Sequence, residues 1–342
     1  MNYRELFRLM LVLGCSVLPA VPIAAQESSE SSTGIDSSRS VARRMLVCCG
    51  LPGDDLHREQ MTAALESFIG TSQSVLGVPP NQLTVLAGDE TMQAELQPMH
   101  AEIGICTRET LEAAFAQAAQ TLKPADAFWV VMIGHSHPYG AESQFNVSGR
   151  DFNQSDFAKA AAGIECREQV FWLTQPLSGF WIKPLSRPGR IILTATEADL
   201  EFTATEMPYA LAAVLDGSGE AQSLEDVDGD GSLSLLDLYL ATNLEITARF
   251  RSIDRLQTEH AQLDDNGDGR GSEVQTPYLP VEEEEEDDED EDGEEEETDE
   301  DQAEPSEQDA AQQAAIAKPP LIQSRNLDGF RSRYVLLQSS SK

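Results

Sequence analysis

Ala127-Phe-Trp-Val-Val-Met-Ile-Gly-His-Ser-His137 is a continuous apolar run that breaks off in a Gly-His turn, and Gln169-Val-Phe-Trp-Leu-Thr-Gln-Pro-Leu-Ser-Gly179 repeats the pattern with a Ser-Gly turn. Both runs have the length of a strand, and neither alternates with polar residues. That is the signature of a central strand in a parallel sheet with both faces covered. In open sheets of this kind the chemistry lies just beyond the carboxyl ends of the strands. A histidine past one strand and a Ser-Gly turn past the next therefore outline an active site.

Working outward, residues 43–49 predict a first strand. Met61, Leu65, Phe68 and Ile69 are spaced for a helix over 57–76, and Gln82-Leu-Thr-Val-Leu86 is a second strand. Thr107 caps a helix over 107–122 whose buried stripe is Leu111, Phe115, Ala118 and Leu122. Strand 127–133 precedes a long loop with a hairpin around 144–147, then a short helix over 155–162 and strand 168–174. A strand over 190–196 leads to a helix over 208–215. Such alternation calls for a mostly parallel sheet with right-handed connections.

Net charge is −37, yet residues 282–301 hold 18 acidic side chains in 20 positions and leave −19 for the rest. So dense a run of like charge cannot bury apolar area, so residues 281–315 read as a disordered acidic insertion. This balance argues against nucleic-acid binding, which needs lysine and arginine against phosphate. Residues 1–25 read as a signal peptide: Arg4 and Arg8 precede an apolar stretch, and Ile23-Ala24-Ala25 offers a small-residue cleavage site. The expected location is periplasmic or secreted, with lipid attachment at Cys15 as a lesser alternative and no membrane span after the leader. Residues 26–40 form a Ser-rich flexible lead. Cys48, Cys49, Cys106 and Cys166 remain, and Cys48 and Cys49, adjacent on one strand, must face opposite ways. Beyond the acidic run, Pro319-Pro-Leu-Ile-Gln323 and Arg331-Ser-Arg-Tyr-Val-Leu-Leu337 have strand-like composition, so 316–342 are expected to return to the sheet as a C-terminal strand.

The two strand ends resemble the caspase and legumain type of cysteine peptidase, in which a His-Gly turn follows one strand and an Ala-Cys-x-Ser-Gly turn follows the next. Gly134-His135 matches the first, with Ser136 where glycine is usual. Setting Ser178-Gly179 on the family's Ser-Gly puts Pro176 at the nucleophile position. Arg44-Met-Leu-Val-Cys-Cys-Gly-Leu-Pro-Gly53 and Gly189-Arg-Ile-Ile-Leu-Thr-Ala-Thr196 are similar to other strands of the family, and Glu259-His-Ala-Gln-Leu-Asp-Asp-Asn-Gly-Asp-Gly269 is similar to a stretch of its bacterial, secreted members. The resemblance spans roughly residues 42 to 275 and a short C-terminal piece. It implies a caspase-like three-layer α/β sandwich over 41–280, with His135 as a remnant base.

Asp226-Val-Asp-Gly-Asp-Gly-Ser-Leu-Ser-Leu-Leu-Asp237 is the sharpest local motif. Asp226, Asp228, Asp230, Ser232 (through its carbonyl), Ser234 and Asp237 fall at the ligand positions of an EF-hand or dockerin-like calcium loop, with Gly231 at the sharp turn. Asp264, Asn266 and Asp268 begin a poorer second loop, in which the twelfth position is Gln275. The calcium-loop segment covers 226–275. The expectation is an exported, catalytically inactive peptidase homologue that binds Ca²⁺ and a peptide or protein segment. The alternatives are an active peptidase using His135 with Ser178 or Cys49 as nucleophile, and a calcium-dependent scaffold.

Overall fold

The computed structural model describes residues 42–199, 201–221, 223–280 and 319–338. The leader over 1–25, the Ser-rich lead over 26–40, Cys15 and the acidic run over 281–315 lie outside the described residues. The strands are β1 (Arg43–Cys49), β2 (Leu83–Ala87), β3 (Ile103–Ile105), β4 (Ala127–Ile133), β5 (Ser136–Tyr139), β6 (Glu142–Phe145), β7 (Phe152–Asn153), β8 (Glu168–Leu173), β9 (Arg190–Thr194) and β10 (Gln262–Asp264). The helices are α1 (Asp55–Thr71), α2 (Glu90–Leu96), α3 (Arg108–Thr121), α4 (Gln154–Ala161), α5 (Ile182–Leu185), α6 (Met207–Asp216) and α7 (Leu235–Ser252).

The fold is mixed α/β with a mostly parallel central sheet. Its order is β10-β9-β8-β4-β1-β2-β3, and only β10 runs antiparallel, against β9. Strands β5, β6 and β7 make a separate antiparallel sheet between the histidine turn and α4. β4 and β8 are neighbours, with Ala127 opposite Glu168 and Met132 opposite Leu173, so both strands end at one edge.

Side-chain alternation lets each strand feed two cores. Met45, Val47, Cys49, Trp129, Val131 and Ile133 join α1, α6 and α7 in one. Leu46, Cys48, Phe128, Val130 and Met132 join α3 and α4 in the other. Phe115, Phe128, Phe157 and Phe171 meet there edge to face, each worth about 1.5–3 kcal/mol of burial. The helix caps follow the sequence: Thr107 and Thr110 close a capping box on α3, and Asn153 and Asp156 do so on α4. Elements α2 and β3, of 7 and 3 residues, are too short to show a period.

The expected C-terminal strand is corrected. Residues 319–338 contain a single 3₁₀ turn at Ser332–Tyr334 and one isolated bridge, Ser234 to Leu336, and none of them joins the central sheet. They still dock: Val335 and Leu337 are buried, Leu235 N donates to Val335 O at 2.9 Å, and Gln338 N donates to Val75 O at 2.9 Å. Arginine in two of the seven positions 331–337 and the capping demand of α7 favour a strap over a strand. Among the described residues no helix is long and apolar enough to cross a membrane.

Candidate functional site

His135 follows β4 through Gly134, whose φ of +145° lies outside the range that L side chains favour. The half-buried imidazole donates from Nε2 to Pro52 O at 3.0 Å, since a carbonyl can only accept. In the neutral ring this leaves Nδ1 as the lone-pair nitrogen. Burial lowers the His135 pKa, and the adjacent His57 lowers it further, against the hydrogen bond to Pro52. A neutral imidazole at neutral pH is the form a general base needs.

His57 was not singled out by its sequence, and neither was its partner Asp54. Its ring meets that of His135 edge to face, with centroids 4.7 Å apart. Asp54 caps α1 by accepting from His57 N at 2.9 Å, and its other oxygen accepts from His57 Nδ1 at 2.8 Å. Asp54 stands in Gly53-Asp54-Asp55 ahead of the helical periodicity, so the N-cap pattern was the available signal. His137 turns to other partners: its Nδ1 lies 2.7 Å from Asn146 Oδ1.

The turn after β8 is buried through Pro176, Leu177 and Ser178. Leu177 has φ +59° and ψ +21°, a left-handed conformation that costs a bulky residue about 1–3 kcal/mol. Its N–H donates to Glu201 O at 3.1 Å. Gly179 is required by packing, because a Cβ there would sit 2.1 Å from the Glu197 carbonyl carbon. Pro176 carries no nucleophilic atom.

The two candidate substitute nucleophiles, Ser178 and Cys49, both lie buried. Ser178 is 0% exposed, and its Oγ accepts from Ala195 N at 3.0 Å and Thr196 N at 3.2 Å. That oxygen is spent in tying the turn to the end of β9. Cys49 is 0% exposed, and burial pushes its thiol well above the usual range, with the nearby Cys48 and Asp89 adding to the effect. Burial and a raised pKa both work against formation of the reactive thiolate.

Both acidic loops lie at the opposite, amino edge of the sheet. Arg43, first residue of β1, donates to Leu336 O, which bridges to Ser234 in the first loop. Asp264 pairs with Ile192 near the start of β9, and a Cβ on Gly267 would meet the Arg187 carbonyl carbon at 2.8 Å. Neither loop can furnish a group to the His135 cleft.

In the first loop Asp226 accepts from Asp230 N at 3.0 Å and Gly231 N at 2.9 Å, and Asp230 accepts from Ser232 N at 2.8 Å. Asp237 accepts from Val227 N at 2.8 Å through one oxygen and from Ser234 N at 2.8 Å through the other. Ligand oxygens of Asp226, Asp228 and Asp237 lie within 4.8 Å of one another. The hydroxyl of Ser234 is committed to the α7 capping box instead. Burial pushes Asp228 up to about 6, with Asp237 and Asp230 reinforcing it. Sequence spacing also gave no hint of Arg333, which comes from the C-terminal strap and reaches both Asp228 and Asp230 at 3.1 Å.

The second loop gathers no such set of three carboxylates or imidazoles. Asp264 accepts from Gly267 N at 2.9 Å, Asn266 from Asp268 N at 2.8 Å, and Asp268 from Arg270 N at 2.9 Å, a ladder of Asx turns. Gln275 lies buried between Tyr239 Oη at 2.6 Å and Ala261 O at 2.9 Å. Asp328 of the strap accepts from Asp265 N at 3.1 Å, so this loop anchors the C-terminal segment.

No family model and no curated protein matches the chain. Among solved structures it is similar to a secreted C11 cysteine protease from Bacteroides thetaiotaomicron, determined in complex with an irreversible peptide inhibitor. The identity is 18% and the TM-score 0.29, over 52% of this chain and 57% of the protease. The match thus spans little more than half the length of either chain, and at that level it carries no inference about chemistry.

Proposed function

We propose that this chain is an exported, catalytically inactive homologue of caspase and legumain-type peptidases that binds a peptide or protein segment in the remnant cleft. The observation that carries the reading is the pairing of β4 with β8, which brings the His135 turn and the Pro176 turn to one edge with a proline where a nucleophile belongs. The burial of Ser178 and Cys49 supports the absence of a substitute. Exposed Leu51, Leu56 and Phe202 adjoin Pro52, His57 and Glu201, which contact the two turns, and would offer apolar contact to a bound segment. Ca²⁺ fits the all-oxygen set of Asp226, Asp228 and Asp237, where it would clamp the loop that opens α7.

The test is retention of peptides from a diverse display library by the purified mature chain. Peptides held by wild type and released by a combined His57→Ala, His135→Ala variant are the expected result. Unchanged retention by the variant would move binding away from the cleft, and no retention at all would end the reading.

A further inference from the structure

A second group of ligand-type side chains lies at the carboxyl edge, apart from both acidic loops. Glu197 and Glu201 stand one helical turn's worth of residues apart in the segment that leaves β9, and His260 stands just ahead of β10. The antiparallel pairing of Gln262 with Thr194 brings these two segments together. One ligand atom from each of the three residues falls within 4.8 Å of the other two.

The backbone under the site is fixed. Glu201 O accepts from Leu177 N at 3.1 Å, and the Glu197 backbone is packed on Gly179. Among the described residues neither glutamate forms a salt bridge with a lysine or arginine, and His260 Nδ1 pairs with Glu201. Glu259, buried beside His260, accepts from Glu206 N at 2.7 Å and from Met207 N at 3.1 Å, so its carboxylate is already engaged.

We propose that Glu197, Glu201 and His260 form a site for a divalent transition metal of the zinc class. Two carboxylates and an imidazole are a donor set that zinc accepts and calcium does not favour, which separates this site from the all-oxygen loop at the other edge. Three protein ligands leave a further position for water or a ligand carboxylate, the arrangement of an open site rather than a closed structural one. The metal would hold Glu197 and Glu201 against the turn that holds Pro176.

The test is calorimetric titration of the chelator-stripped full chain with Zn²⁺ alone, in buffer holding excess Ca²⁺. The expected result is one stoichiometric site, weakened at least about tenfold (roughly 1.4 kcal/mol) by Glu197→Gln and by His260→Ala, and unaffected by Asp226→Asn. Glu197→Gln is the discriminating variant, because a plain His260–Glu201 ion pair does not need Glu197. Cobalt in place of zinc should give visible absorption that disappears in the same two variants while melting temperatures stay unchanged. Zinc affinity indifferent to Glu197→Gln, or lost in Asp226→Asn, would overturn the proposal.

Discussion

At the scale of single residues, the proposed reading rests on Pro176 and His135. If position 176 faces the imidazole, a thiol placed there should be activated by it, since a neighbouring histidine lowers a thiol pKa. Pro176→Cys is therefore expected to react with iodoacetamide at mildly acidic pH faster than the native cysteines. Cys48, Cys49 and Cys106 are buried, and burial pushes Cys166 up to about 11. Adding His135→Ala should slow the new thiol by about tenfold. Equal rates with and without His135 would separate the two turns. Glu259 offers a second residue-level test, because burial pushes its carboxyl up to about 8 from 4.5. Across that window the folded chain keeps a proton that the unfolded chain has lost, so stability falls as pH rises. Asp228 and Asp328, each pushed up to about 6, act the same way lower in the range. Between about pH 6.5 and 8, Glu259→Gln should flatten the decline in melting temperature, one proton being worth at most about 1.4 kcal/mol per pH unit. An unchanged slope would mean that Glu259 is ionised in the fold.

At the scale of elements, the long periodic pieces were legible and the short or charged ones were not. β1 and β4 coincide with the apolar runs that predict them, and Thr107 caps α3 as its position before Leu111 and Phe115 requires. β10 was hidden because its three residues, Gln262-Leu-Asp264, read as the edge of an acidic turn. The strap was misread because Val335-Leu-Leu337 has strand composition, while Arg333 serves carboxylates rather than a ladder. Arg333 gives this element its testable property. Its guanidinium and the side chains of Asp228 and Asp230 are 9%, 1% and 11% exposed, so Arg333→Gln leaves two buried carboxylates unpaired. In chelator the loss should be roughly 3–5 kcal/mol. Ca²⁺ should restore much of it, since ligand at a hundred times its Kd contributes about 2.7 kcal/mol. Melting curves with and without Ca²⁺ check this. A variant that calcium fails to rescue would count against metal at Asp226, Asp228 and Asp237.

At the scale of the whole molecule, the sheet separates two groups of candidate residues. Its carboxyl edge carries His57, His135, the Pro176 turn and the Glu197, Glu201 and His260 group, and its amino edge carries both acidic loops and the strap. The sequence motifs put the His135 and Pro176 turns at the carboxyl edge but could not assign an edge to the acidic loops or to Glu197, Glu201 and His260, because that depends on strand order and on the reversal of β10. Residue contacts such as His57 with His135 and Arg333 with Asp228 were equally out of reach, being set by packing and not by spacing. The most direct test of the proposed inactivity is hydrolysis of a diverse fluorogenic peptide library by the purified mature chain, with calcium and with chelator, beside His135→Ala. The expected result is no turnover above the level of the variant in either condition. Turnover that vanishes with His135→Ala would reveal a working nucleophile and contradict the account.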